Sequence, residues 1–248
     1  MFDLDPPLDL QFVDAPPFAF EQPADGHPAA ITAEAARVRV THHRFCAEID
    51  PHAGRGSLFC PNATDTFAED IVRRTALSCR LPLYGGLLLH SAGAVIGEKA
   101  VLFHGVSGAG KSTLAELLPA PILSDELVAI LPDSACFAAA ATGVWGTFDQ
   151  ATAPPGLFSL HALVALDRGG SLSINPIDRH EAVRRLVTVA VLPPIAKLWE
   201  AALRVIERLV DSIPCYTMQW TPNGQAAERV LGFFLECGGK ATAFKNDG

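Results

Sequence analysis

Eight residues, "GVSGAGKS" from Gly105 to Ser112, carry the densest chemistry in the chain. Their order is G-x-x-x-x-G-K-[ST], a spacing in which each residue type has a physical task. Glycines leave main-chain N–H groups uncovered, so that these can close on phosphate oxygens, and they accept positive φ where the turn requires it. A helix that starts at the end of such a turn points its free N–H groups and the positive end of its dipole at the same phosphates. The lysine reaches the outer phosphates, and the hydroxyl after it can ligate Mg²⁺. The expected contacts to a nucleoside triphosphate are therefore Gly105, Ser107, Gly108, Ala109, Gly110, Lys111, Ser112 and Thr113.

Such a site needs a carboxylate close to the metal, commonly at the end of a neighbouring strand. The first acids after the loop are Asp125 and Glu126, in "PILSDELVAIL". Consecutive strand residues point to opposite faces, so one of the two meets the metal directly unless the strand bends there. The other is free to accept a proton from an attacking hydroxyl. Apolar flanks on both sides argue against a pair of merely solvated acids. His90, closing the apolar run "LLLH", and His104, just before the loop, read from the residues alone as core histidines.

These residues need elements to hold them. "LLLHSAGAVIGEKAVLFHG" predicts two strands, 87–96 and 100–104, joined by the tight turn "GEKA". A helix is expected over 111–118, and "PILSDELVAILPD" reads as one strand. Residues 134–157, rich in Ala, Gly and Pro, fit no element. "LHALVALDR" reads as a strand, Asp178–Val189 as a helix, 194–211 as an amphipathic helix, "PCYTMQW" as a strand and the segment up to about 236 as a last helix. Upstream, "VRVTHHRFCAEID" reads as one strand, "SLFC" as its return, and Thr66 with Glu69 as the capping box of a helix. Within 1–30, "DLQFVD" and "FAFEQ" read equally as short edge strands or as part of a loose arm. The organisation expected is a small β-rich module with one helix over 1–84, a nucleotide-binding domain over 85–240 and a flexible tail over 241–248.

Composition narrows the partners. The chain has 248 residues, 49% hydrophobic, enough to bury a sizeable core. Its net charge of -8 argues against nucleic acid or an anionic membrane as a partner of the surface as a whole. The run "VTVAVLPPIA" is too short to span a bilayer and is broken by Pro193 and Pro194. Six cysteines without a C-x-x-C pair, and no positively charged leader, point to reduced thiols and a cytoplasmic protein. The cluster His42, His43 and Cys46 reads as structural rather than as a zinc site, which would need four convergent ligands.

In sum, a strand ending in His, a second strand, a "GVSGAGKS" loop, a short helix and an acidic pair follow one another over 87–130. This order resembles the catalytic domain of HPr kinase/phosphorylase and its smaller relatives, the HPr-kinase-like serine kinases. That fold is also similar to the nucleotide-binding part of phosphoenolpyruvate carboxykinase. The resemblance extends more weakly over 85–236. It implies an α/β P-loop fold with a mixed sheet. It also implies an ATP- and Mg²⁺-dependent kinase that transfers the γ-phosphoryl group to a serine-type hydroxyl of a peptide, protein or small molecule. On this basis Asp125 is the expected catalytic base, Ser112, Glu126 and Asp125 the residues expected near the metal, and His90 and Lys111 groups beside the reacting phosphate. The family's oligomers extend the expectation to a homo-oligomer. Two features depart from the family: an Asp-Glu pair stands where two aspartates are usual, and the glycine-rich loop that engages HPr is missing, which argues against HPr itself as acceptor. Arg168, Arg179, Arg184 and Arg185 are candidates to neutralise transferring charge, and Trp145 in "TGVWGTF" to shape the acceptor pocket. A non-catalytic ATP-binding switch and an assembly ATPase are the alternatives. A decarboxylating carboxykinase would need a longer chain.

Overall fold

In the computed structural model, which describes residues 8–20, 27–34, 36–62, 65–134, 136–148 and 151–236, the chain is α/β. Its strands form two mixed sheets. Two units are distinguished: 8–84 with 192–202, and 85–191 with 203–236. The tail expected over 241–248 lies outside the described residues, as does Cys237.

The first unit contains β1 (Asp9–Phe12), β2 (Ala30–Glu34), β3 (Arg37–His42), β4 (Phe45–Asp50), β5 (Arg55–Phe59) and α1 (Thr66–Arg80). The strand order is β1-β5-β4-β3-β2, antiparallel except for the β1–β5 pair. "VRVTHHRFCAEID" is therefore two strands and not one, because the chain reverses at His43-Arg44 and pairs His42 with Phe45. The apolar alternation changes phase at that reversal, from Val38 and Val40 to Phe45, Ala47 and Ile49, so both strands turn one apolar face to the core. Val38, Val40, Phe45, Ala47 and Ile49 pack against Ala68, Val72 and Ala76 of α1. The helix is capped one residue earlier than the Thr66/Glu69 box implies: an Asp65 carboxylate oxygen accepts from the N–H groups of Phe67 and Ala68. An ionised acceptor at this position also faces the positive end of the helix dipole. His42 is buried against the rings of His43, Phe45 and Phe67.

The second unit begins with β6 (Leu87–Ile96) and β7 (Lys99–His104), then α2 (Lys111–Leu117), β8 (Ile122–Ser124), β9 (Leu127–Asp133) and β10 (Cys136–Ala141). β11 (Phe158–Arg168), β12 (Ser173–Pro176), α3 (Arg179–Val189), α4 (Ala196–Ser212), β13 (Cys215–Trp220) and α5 (Gly224–Glu236) follow. The first turns of α4, up to Ala202, belong to the other unit. The sheet order is β10-β9-β6-β7-β11-β13-β12, with β8 also paired to β6. β7, β11 and β13 are parallel, so their C-terminal ends share one edge.

Period-two alternation sorts the side chains of these strands. Ala92, Ala94 and Ile96 of β6, Val101 and Phe103 of β7, and Val164 and Leu166 of β11 lie in one core with Leu114 of α2 and Val230, Phe233 and Phe234 of α5. Each fully buried Phe contributes about 1.5–3 kcal/mol through removal of apolar surface from water. That core fixes the face of the sheet on which α2, and hence the loop before it, is seated. β10 falls inside the stretch that fits no element by pattern. Its "CFAAAA" lacks branched side chains, and it becomes a strand through its pairing with β9.

Candidate functional site

The loop Gly105–Ser112 leaves the C-terminal end of β7 and runs into α2. Gly108 and Gly110 adopt φ of +72° and +99°, values that L side chains rarely take. Gly110 is the N-cap of α2 and supplies no side-chain cap. The Ala109 N–H turns back to the Val106 carbonyl at 3.0 Å, and the helical ladder opens with the Leu114 N–H on the Gly110 carbonyl at 2.8 Å. The amides of Lys111, Ser112 and Thr113 precede that first rung, as orphan N–H groups at a helix start do.

A cavity of about 370 Å³ lies over this turn. Ser107, Gly108, Gly110, Lys111, Ser112 and Thr113 line it from the loop side, and His90 and Glu126 face them. Gly105 and Ala109 are placed differently. Ala109 packs into the core, and the Gly105 carbonyl accepts from Lys111 Nζ at 3.0 Å. Lys111 is mostly buried. Burial draws its ammonium below the ordinary lysine range, and the Glu126 charge pushes back.

The two acids of "SDEL" have separate places. The strand expected over "PILSDELVAILPD" breaks at this pair into β8 and β9. Buried Ser124 shapes the break: its Oγ accepts from the N–H groups of Glu126 and Leu127 at 3.0 and 3.1 Å and donates to the Val144 carbonyl at 3.0 Å. Glu126 thereby reaches the cavity, where its Oε2 lies 3.2 Å from His90 Nε2. Asp125, expected as the base, is fully buried and does not line the cavity. Its two carboxylate oxygens accept from the N–H groups of Gly146 and Thr147 at 2.9 and 2.7 Å. It holds the loop that carries Trp145, whose side chain is half-buried.

Of the four candidate arginines, Arg168 comes to the loop. It ends β11 on the same face as Leu166, and its Nε donates to the Gly108 carbonyl. Arg179 pairs with Asp211, and Arg184 with Glu181. Arg185 is held bidentately by Asp167 at 2.8 and 3.1 Å. His104 is buried on the opposite face of the sheet from Phe103. Burial first, then the charges of Arg185 and Lys111, pull its imidazole down to about 3 against the pull of Asp167, so it is neutral in the fold. Its Nδ1 is buried with no hydrogen-bond partner.

Two contributors escape a reading by motif. Ser124 is one of many serines in the sequence, and nothing local marks its turn. Trp220 ends β13 with its indole 3.6 Å from where a Cβ on Gly110 would stand. Trp220, like Arg168, closes a strand that lies parallel to the one feeding the loop, a placement that strand pairing and not local sequence decides.

Among the described residues, no group of three or more His, Cys, Asp or Glu side chains is arranged to hold a metal ion. Ser112 and Glu126, which face the same cavity, are a donor set suited to Mg²⁺, which takes one or two protein oxygens and completes its shell with phosphate and water. No described helix is long and apolar enough to cross a membrane. A scan against protein-family models finds no match to this chain, and no curated protein matches its sequence.

Proposed function

We propose that the unit spanning 85–191 and 203–236 is an HPr-kinase-like phosphotransferase that moves the γ-phosphoryl group of ATP to a hydroxyl of a peptide, protein or small molecule. One observation carries the reading: the glycine loop with Lys111 and the Glu126–His90 pair face each other across a single cavity. A polyphosphate cradle and a proton acceptor at the same opening are what in-line transfer to a hydroxyl requires.

In this reading the amides of Lys111, Ser112 and Thr113 and the Lys111 ammonium hold the phosphates. The Lys111 bond to the Gly105 carbonyl keeps the side chain extended over the loop, ready to exchange that carbonyl for a phosphate oxygen. Glu126 accepts the acceptor's hydroxyl proton as the new P–O bond forms and the bond to the β-phosphate oxygen breaks, leaving ADP. His90 fixes the Glu126 carboxylate in place. Ser112 and Glu126 would hold Mg²⁺, which supplies neutralising charge on the phosphates. Asp125 is read as a positioning residue for the loop at 143–148 rather than as the base. Preorganised charge of this kind contributes a factor of about 10² to 10³ per donor.

The test is incubation of the chain with γ-labelled ATP and a panel of serine-containing peptides and small alcohols, with mass spectrometry locating the phosphate. Label on an acceptor hydroxyl, abolished by Lys111→Met, supports the kinase. Release of inorganic phosphate without an acceptor product would favour the assembly ATPase, and tight ATP binding without turnover the switch.

A further inference from the structure

A second cavity of about 250 Å³ lies in the same unit, between the turn that joins β11 to β12 and the connection from β13 to α5. Ser171, Thr221, Asn223 and Gln225 are among its lining residues. It differs in chemistry from the first cavity. No acid lines it. Its hydroxyls and amides both donate and accept, and Leu172 and Ala226 add an apolar patch. Small-molecule sites have this makeup, a few converging polar groups on a partly apolar surface.

Its walls are tied together before any ligand arrives. Thr221 Oγ1 donates to the Gly170 carbonyl at 3.0 Å, bridging the two connections. Asn223 Nδ2 donates to the Thr221 carbonyl at 3.1 Å, and its Oδ1 accepts the Ala226 N–H at 2.8 Å. The walls also continue directly from the phosphate loop's own supports. Gly170 and Ser171 closely follow Arg168, whose guanidinium lies on Gly108, and Thr221 directly follows Trp220, whose indole lies beside Gly110. Gly108 and Gly110 in turn line the first cavity.

Building on the phosphotransferase reading above, we infer that this second cavity receives the nucleoside, base and ribose, of the nucleotide whose phosphates occupy the loop. A base offers ring edges and a flat apolar face, and ribose offers hydroxyls, which match the amides, hydroxyls and apolar patch here. Arg229, which also lines the cavity, offers a guanidinium to the face of a base or to the ribose oxygens.

The experiment compares calorimetric binding of ATP and of inorganic tripolyphosphate, each with Mg²⁺, to the wild type and to two cavity-filling variants. Ser171→Trp and Gln225→Trp act from opposite walls at exposed positions, and urea midpoints check that each is folded. The expected result is that the wild type prefers ATP to tripolyphosphate. Both variants then bind ATP roughly tenfold or more weakly and tripolyphosphate as the wild type does. Unchanged ATP affinity in the folded variants, with tripolyphosphate still bound, overturns the nucleoside site and leaves the phosphate loop standing. Equal wild-type affinity for the two ligands overturns it as well. Failure of the wild type to bind either ligand removes the phosphate reading itself, and this inference with it.

Discussion

His90 Nε2 and Glu126 Oε2 lie 3.2 Å apart although 36 residues separate them in sequence. Register produces the meeting: β6 pairs His90 with Leu127 of β9, so the residue before Leu127 arrives beside the imidazole. The Ser91 N–H donates to the Glu126 carbonyl at 3.1 Å and holds the main chain at that point.

The separate places of Asp125 and Glu126 lead to opposite phenotypes. Glu126→Gln should lower turnover by about 10² to 10⁴, as loss of a general base does, and should also weaken Mg²⁺-dependent ATP binding, as loss of one metal oxygen ligand does. Asp125→Asn presents an NH₂ to a backbone N–H that a carboxylate oxygen now accepts, and should cost about 1–3 kcal/mol of stability. Urea unfolding and single-turnover kinetics on both variants separate the two roles. An Asp125→Asn protein as stable as the wild type, and dead in chemistry, would return the base to Asp125.

Arg168 is exposed, and its side chain reaches the loop from a neighbouring strand. Arg168→Ala should leave the urea midpoint nearly unchanged, within about 0.5 kcal/mol, as exposed substitutions usually do. Turnover should fall roughly 10- to 10³-fold if the guanidinium moves from the Gly108 carbonyl to the transferring phosphoryl group. Arg168→Lys should rescue poorly, because an ammonium lacks the planar fork. Full activity in Arg168→Ala would show that the arginine only braces the loop.

Gly108 faces two separate obstacles to a side chain. Its φ of +72° disfavours any L residue, and a Cβ there would stand 2.0 Å from Arg168 Nη2. Gly108→Ala should therefore weaken nucleotide binding and lose stability, with about 1–2 kcal/mol from the left-handed conformation alone. Adding Arg168→Ala should recover the steric part and leave the conformational part. A double-mutant cycle with strictly additive losses would contradict the close approach.

His104 couples the loop's supporting strand to acidity. The unfolded imidazole titrates at its ordinary 6.5, and the folded one at about 3. Between these values the unfolded chain holds the extra proton, so stability rises with pH there; it is fully present above 6.5 and falls as the medium is acidified. The slope from this one group approaches about 1.4 kcal/mol per pH unit, or about 2 kcal/mol between pH 6.5 and 5. His104→Leu should flatten the dependence by that amount. Urea midpoints of the two proteins at both pH values provide the comparison, and parallel pH profiles would refute it.

The loop was legible because its chemistry is local: eight consecutive residues set both its conformation and its ligand, and the flanking strand and helix fall at 99–104 and 111–117. The places of the acids were not legible. Alternation along "ILSDEL" says only that neighbours face apart, while the actual placement depends on Ser124 bonding to Val144 across a loop that carries no pattern of its own. The hairpin at His43-Arg44 turns without glycine or proline, and the strand "CFAAAA" lacks branched side chains, so each was hidden although it pairs with the strand next to it in sequence. Arg168 could be named as one of four cations but not singled out, because what distinguishes it is the parallel alignment of β11 with β7.

The chain contains three tryptophans, and the one at position 220 is sealed from solvent with its ring edge against Gly110. Indole emission responds to nearby charge and polarity, so the protein carries a fluorophore within sight of whatever settles on the turn. With Trp145 and Trp199 changed to Phe, a change in its colour or brightness on mixing would time the arrival of a ligand without any attached dye.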